Sequence, residues 1–286
     1  MAKKAFVYDG TNWIDIAQST ADLSGYPALA TNQFGFRNKI INGDFRINQR
    51  GYTSASNLAS GSYGFDRWKS TFTNTTLTFT SAPQGQMVTI NSGGSVKQVI
   101  ERENMPAGTY VLSWTGTATG RVYNTGATPP SYAASPILVT LDGTANVEVE
   151  FTASGGTRTL QNVQLEPGNV ASAFERRPIG TELALCYRYY ETGASFKMGG
   201  YGATSPILDT RNYCCINFKV TKRATPTVTI LNLTKTNEIL TGGAVWSNPA
   251  VSQTTVNSVN VLSTIGVAQG TALFDAQFDW TASAEL

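Results

Sequence analysis

The chain has 286 residues, a net charge of +2, 14% charged residues and no histidine. That length accommodates one large or two ordinary domains, and near-neutrality without a Lys/Arg block argues against a nucleic-acid binder driven by phosphate contacts. The missing imidazole excludes Ser-His-Asp and Cys-His nucleophilic sites and His-ligated zinc or iron, which leaves carboxylate chemistry, oxygen-ligated metals or no chemistry.

A surface rich in Thr, Ser, Asn and Gly favours strands and turns over helix interiors. Residues 5–16 read as a hairpin in which two β-prone runs flank Asp9-Gly-Thr-Asn12, a strong turn signal. Such a hairpin is marginal alone and must pack on something. No apolar core for a signal peptide follows Met1-Ala-Lys-Lys4, and no run reaches the length of a membrane helix. A soluble product made in a cytoplasm is the expectation. Residues 17–36 read as a linker with at most one helical turn.

From residue 39 onward short strand candidates recur at spacings that suit an all-β sandwich. They fall at 39–42, 65–72, 75–81, 86–90, 96–101, 108–117, 134–141, 145–153 and 159–166. Thr76-Leu-Thr-Phe-Thr80 and Val147-Glu-Val-Glu-Phe151 alternate strictly, one face buried and one solvated. On that reading Glu148 and Glu150 belong to an ordinary solvated face. Trp68 and Trp114, the latter in phase with Tyr110 and Leu112, are expected in the core.

Residues 179–190 have helical character, with Thr181 as a candidate cap and Leu183, Cys186, Tyr187 and Tyr190 on one stripe. A second β domain follows, with strands at 213–220, 227–233, 238–240, 256–262, 264–268 and 277–281. Pro226, Pro249 and Gly242-Gly243 punctuate it as turns. Cys186, Cys214 and Cys215 show no CxxC spacing and read as free thiols, the adjacent pair pointing to opposite faces of a strand. The domains are therefore 1–36, 37–178 and 179–286, the middle one a jelly-roll β-sandwich and the last a smaller β-sandwich.

Asn38-Lys-Ile-Ile-Asn-Gly-Asp-Phe-Arg-Ile-Asn-Gln-Arg-Gly51, Phe65-Asp-Arg-Trp68, Val163-Gln-Leu-Glu-Pro-Gly168 and Ala173-Phe-Glu-Arg-Arg-Pro178 with Glu182-Leu-Ala-Leu-Cys-Tyr-Arg-Tyr-Tyr190 occur in that order. This ordered set resembles the jelly-roll carbohydrate-binding modules, and more closely the version carried by bacteriophage tail fibres and other receptor-binding proteins. The hairpin phrase Val7-Tyr-Asp-Gly-Thr-Asn-Trp13 is similar to short attachment segments of phage tail proteins. The resemblance implies a virion protein of the viral tail fibre that attaches to a host-surface glycan without catalysis and works as a homotrimer. It implies that residues 1–36 join other virion tail or baseplate proteins, with no nucleic acid and no membrane insertion involved.

Many sugar-binding jelly rolls hold a structural calcium between the opening and closing strands. The resemblance thus makes Asn42 and Asp44 candidate oxygen ligands for Ca2+, although Gln161 and Asn162 offer amides where a closing-strand carboxylate is expected. Asp44 equally fits a turn residue bonding its own backbone, and one carboxylate makes a poor calcium cage. For the glycan, aromatics in loops are the candidates: Tyr123 and Asn124, Tyr132 after Pro129-Pro130, Tyr201, and Trp246. Packing between subunits is the alternative reading of each. Two other functions stay open, a purely structural fibre or decoration protein and a polysaccharide-degrading enzyme using an acid pair such as Asp142 with Glu166.

Overall fold

The computed structural model describes residues 6–8, 13–15, 36–81, 85–202, 210–240, 245–266 and 272–286. The expected turns at Asp9-Gly10 and Gly242-Gly243, and the linker up to residue 35, lie outside them. In chain order the strands are β1 Phe6–Tyr8, β2 Trp13–Asp15, β3 Asn57–Leu58, β4 Lys69–Ser70, β5 Thr75–Thr78, β6 Val88–Ile90, β7 Ser95–Ile100, β8 Gly108–Thr115, β9 Thr119–Asn124, β10 Ile137–Leu141, β11 Val147–Thr152 and β12 Arg158–Pro167. Helix α1, Ile179–Tyr187, leads into β13 Tyr190–Gly202, β14 Thr210–Asn217, β15 Thr227–Leu240, β16 Val245–Trp246, β17 Ala250–Thr254, β18 Ser258–Gly266 and β19 Ala272–Ser283.

The all-β reading holds. β1 and β2 pair antiparallel with Tyr8 opposite Trp13, as the hairpin pattern requires. The first sandwich stacks a six-stranded sheet, β10-β8-β12-β6-β5-β3, on a four-stranded sheet, β4-β7-β11-β9. Alternation decides what lies between them: Val147, Val149 and Phe151 of β11 point inward with Leu112 and Trp114 of β8 and Leu160 of β12. Trp68 is fully buried, its ring 5.1 Å from that of Phe45 and 6.0 Å from that of Phe151. Both tryptophans are thus core residues, as expected. Burying a ring of this size is worth about 3 kcal/mol.

The opening segment departs from expectation. Residues 39–42 are not a strand, because side chains take over the backbone bonding: Asn38 Oδ1 accepts from Ile40 N, Gln98 bonds both Ile41 backbone groups and Glu182 accepts from Asn42 N. The Asn42 side chain in turn fixes the loop that follows. Its amide oxygen accepts from Ile47 N at 2.9 Å, and its amide nitrogen donates to the carbonyls of Ile47 and Asp66. Trp68 Nε1 then donates to the Asn42 carbonyl at 2.9 Å. Opening and closing segments do lie side by side, through Lys39 N to Leu165 O at 2.7 Å and Val163 N to Gly43 O at 2.9 Å. Gly43 is required there, since a Cβ would sit 2.2 Å from the Val163 carbonyl oxygen.

The second sandwich packs β13-β19-β15 against β14-β18-β16, with β17 also on β18. Its separate core holds Met198, Ile216, Phe218, Val259, Val261, Phe278 and Trp280. The runs expected at 227–233 and 238–240 are one strand, as are those at 256–262 and 264–268, while β13, β16 and β17 are additional. Cys214 is half-buried and Cys215 exposed, which matches opposite faces of β14.

In α1 the structure corrects two expectations. Pro178 is the N-cap, with no side-chain cap, and Thr181 lies inside the helix. The buried helix residues are Glu182 and Cys186, because Glu182 turns toward Arg177, 2.9 Å away, and the Asn42 backbone N–H.

The two sandwiches meet at a charged seam built from the same motifs. Arg67, 1% exposed and held at a left-handed φ of 71°, pairs with Glu285 and stacks 3.5 Å above the Tyr189 ring. Arg50 bridges Asp66 at 2.9 Å and Glu285 at 3.0 Å, with its guanidinium 3.7 Å over Tyr190. Tyr63 Oη donates to the Leu286 carbonyl at 2.8 Å, and Arg188 donates to Glu101 at 2.8 Å. Burial lowers the Arg67 pKa most strongly, but the Glu285 charge and hydrogen bond together with Tyr189 and Tyr63 outweigh it, and the net shift is upward. Replacing Glu285 by Gln leaves Arg67 without its counter-charge and Arg50 with Asp66 alone, and should destabilise the docked state by about 3 kcal/mol. Limited proteolysis of the variant should cut between the sandwiches faster than in the wild type; equal rates would mean the seam is not coupling them.

Candidate functional site: the outer face of the four-stranded sheet

Strands β7, β11 and β9 lie side by side, so their outward residues form rows. Lys97, Glu150 and Arg121 are directly opposite one another, and Tyr123 is opposite Glu148. Opposite charges across a sheet attract, and here the rows close into a network. Arg121 Nε and Nη2 donate to Glu150 Oε2 at 2.8 and 2.6 Å. Lys97 Nζ reaches Glu148 at 2.7 Å. Tyr123 Oη donates to Glu148 at 3.0 Å and Glu150 at 3.2 Å. Thr71 and Ser95 hydroxyls, each at 3.1 Å, fill the other Glu150 oxygen.

Glu148 and Glu150 are consequently buried, at 9% and 3% exposure, and are not the solvated pair that alternation suggests. Burial would raise both pKa values. For Glu150 the hydrogen bonds from Arg121 and Tyr132 and the guanidinium charge outweigh it; for Glu148 those of Lys97 and Tyr123 do so. Both carboxyls end below the usual range.

Tyr123 and Asn124 lie on strand β9, not in a loop. Residues 125–136 fold back so that Ala133 bridges Gly120, and this places the Tyr132 ring 4.2 Å from the Arg121 guanidinium. The Tyr123 ring is 5.4 Å from the same group. Burial, then the Glu150 charge, pushes the Tyr132 hydroxyl up to about 12. The result is two half-exposed tyrosines fixed around one partly exposed arginine at an edge strand. Asn124 points its amide to Asp142 at 2.7 Å, beside this pair.

Sequence reasoning named the tyrosines but missed Arg121, Lys97, Glu148 and Glu150 as their partners. The available signal was the alternation Arg121-Val-Tyr123, with Val122 buried between two half-exposed residues. Tyr201 lies on β13 and Trp246 on β16, in the other sandwich and also on strands. The five candidates therefore divide between two domains.

The residues suggested for calcium do not fit an ion. Both ends of the Asn42 amide are spent on backbone groups. Asp44 faces cations, with Arg46 Nε at 2.5 Å and Arg176 at 3.7 Å. Among the described residues no group of three or more acidic or thiol side chains gathers. The proposed acid pair is also occupied by other partners. Asp142 accepts from Asn124 and Thr144, and its pKa is lowered chiefly by the Thr144 backbone and hydroxyl bonds. Glu166 binds Ser172, Gln164 and Arg37. A glycosidase proton donor needs a raised pKa, whereas those of Asp142, Glu148 and Glu150 are lowered.

No family model and no curated protein matches the chain. Among solved structures, wild-type discoidin II from Dictyostelium discoideum aligns over 88% of this chain and 92% of its own at 11% identity, with a TM-score of 0.26. A recombinant discoidin II from the same organism aligns over 86% and 93% at 13% identity, with a TM-score of 0.24.

Glu150→Gln should strip Arg121 of its counter-ion and cost about 2 kcal/mol, measurable as a lower chemical midpoint in urea. Because the folded carboxyls titrate below their ordinary value of 4.5, their contribution is complete above that pH and lost as pH falls through the depressed range. The wild type should therefore lose stability below pH 4.5 more steeply than the variant; parallel curves would refute the network's role.

Proposed function

We propose that the chain is a non-catalytic glycan-binding protein of the bacteriophage tail-fibre kind, with the outer face of the four-stranded sheet as its sugar site. The observation that carries this reading is the pair Tyr123 and Tyr132 held around Arg121 by two ionised carboxylates. A pyranose presents a C–H face that packs on an aromatic ring, and its hydroxyls accept from a guanidinium whose direction is already fixed. Such preorganisation lowers the ordering cost of binding. Residues 1–36 would join the particle, and the second sandwich would form the tip.

The trimer proposal comes from the family resemblance, and exposed apolar residues on the second sandwich agree with it. Tyr213, Leu231 and Val251 are 59%, 42% and 39% exposed, and such groups are candidates for burial between copies. Three weak sites on one particle then gain avidity through effective concentration.

Two measurements test the proposal. Glycan-array binding by the full chain should fall at least about tenfold, roughly 1.4 kcal/mol, in Tyr132→Ala, and an unchanged binding profile would remove this face from consideration. Light scattering should return three times the 30.6 kDa protomer mass; a monomer would end the trimer reading. New reducing ends appearing on incubation with bacterial polysaccharide would replace adhesion with catalysis.

A further inference from the structure

The seam between the sandwiches encloses something that its ion pairs do not use. A cavity of about 140 Å3 lies between the opening segment, β7, α1 and Tyr189. Phe36, Leu185 and Tyr189 supply apolar wall, while Lys39, Arg67 and Arg177 supply charge, and no carboxylate is among the lining residues. Exposed Phe36 and half-buried Lys39 mark its open side.

Both arginines are immobilised through their terminal nitrogens. Arg67 binds Glu285 and the Val99 carbonyl, and Arg177 binds Glu182 and the carbonyls of Ile40 and Asn38. Each nevertheless keeps a buried Nε–H with no hydrogen-bond partner. Buried donors of this kind are seldom left unmatched in native proteins. Two of them on residues of one cavity wall, with an ammonium beside them, describe a missing acceptor that carries negative charge. Lys39 is itself under strain of the same sign: burial, and then the Arg177 charge, lower its pKa against a smaller opposing effect of Glu175.

Alternative occupants fit less well. Water supplies acceptors but no charge to answer the Lys39 ammonium, and Arg67 and Arg177 have one carboxylate each. An apolar group would leave both Nε–H donors unmet. A metal cation is repelled. An oxyanion accepts several hydrogen bonds at once and suits the guanidinium fork. Since a water takes about 30 Å3 of liquid, the space is of the order needed for one phosphate or carboxylate group.

We propose that this junctional cavity is an oxyanion site, in which Arg67 and Arg177 Nε–H and the Lys39 ammonium bind a phosphate or carboxylate group, free or pendant on a sugar. Occupation would tie the opening segment, the first sandwich and α1 together through one ligand. The site is separate from the sheet face, and its test does not depend on neutral-glycan binding.

The experiment is thermal unfolding of the full chain in inorganic phosphate against chloride at matched ionic strength, repeated with glucose 6-phosphate against glucose. Phosphate at ten times its dissociation constant should raise Tm by about 3 °C. Lys39→Gln should lose most of that rise, whereas Lys97→Gln, which removes one charge from the other site, should keep it. Lys39 is the informative position because both arginines also hold the seam. A response to phosphate alone identifies a free anion as the ligand, and a response to both phosphates identifies a pendant group. Equal Tm in phosphate and chloride, or a full response in Lys39→Gln, would overturn the proposal.

Discussion

A guanidinium with almost no contact with water must find its counter-charge inside the protein, and Arg67 finds it at Glu285, far along the chain in the other sandwich. Removing one partner of such a pair is costly because the other stays buried and charged. The surrounding structure is arranged to make that pairing hold. The left-handed φ at Arg67, the Trp68 indole bonded to Asn42, the Tyr189 ring beneath the guanidinium and the second arginine on Glu285 each fix one degree of freedom. The ordered sequence motifs are thus explained by a junction. They place Asn42, Arg50, Asp66, Arg67, Glu182 and Tyr189 where the two domains meet.

Much of this was legible in the residues, and the failures have physical causes. Strict alternation in Val147-Glu-Val-Glu-Phe151 located β11 and its inward face correctly. It did not disclose that the outward face would be buried, because the covering residues Lys97 and Arg121 arrive from other strands. Strand β9 was invisible for a different reason: its inward position 120 is glycine, since a Cβ there would sit 2.8 Å from the Phe151 ring. An apolar signal is absent where packing forbids a side chain. Ile40-Ile41 gave the converse error, a strand-like pair in a segment whose backbone is bonded by the Asn38 amide oxygen, which accepts from Ile40 N, and by Gln98, which donates to and accepts from Ile41.

The candidate site shares this logic. Tyrosine and loop chemistry could be read from composition, but what gives Tyr123 and Tyr132 a defined geometry is a set of pairings between strands distant in sequence. Two carboxylates held ionised serve there as supports for Arg121 and the tyrosines. A rigid strand edge with a returning loop is a better platform for a sugar than a free loop, because little order remains to be imposed when the ligand arrives.

Glu285 and Leu286 follow every strand of the second sandwich in chain order, yet their partners Arg50, Tyr63, Arg67 and Lys69 stand near the start of the first. During synthesis the first sandwich therefore emerges with those side chains waiting, and the carboxylate that pairs with Arg67 arrives only at residue 285. Each domain can acquire its own core as it leaves the ribosome, but the join between them must wait for residue 285. Loss of the Glu285 carboxylate would therefore spare both cores and strike only the join, so a single charge just after β19 governs how two independently formed halves are held.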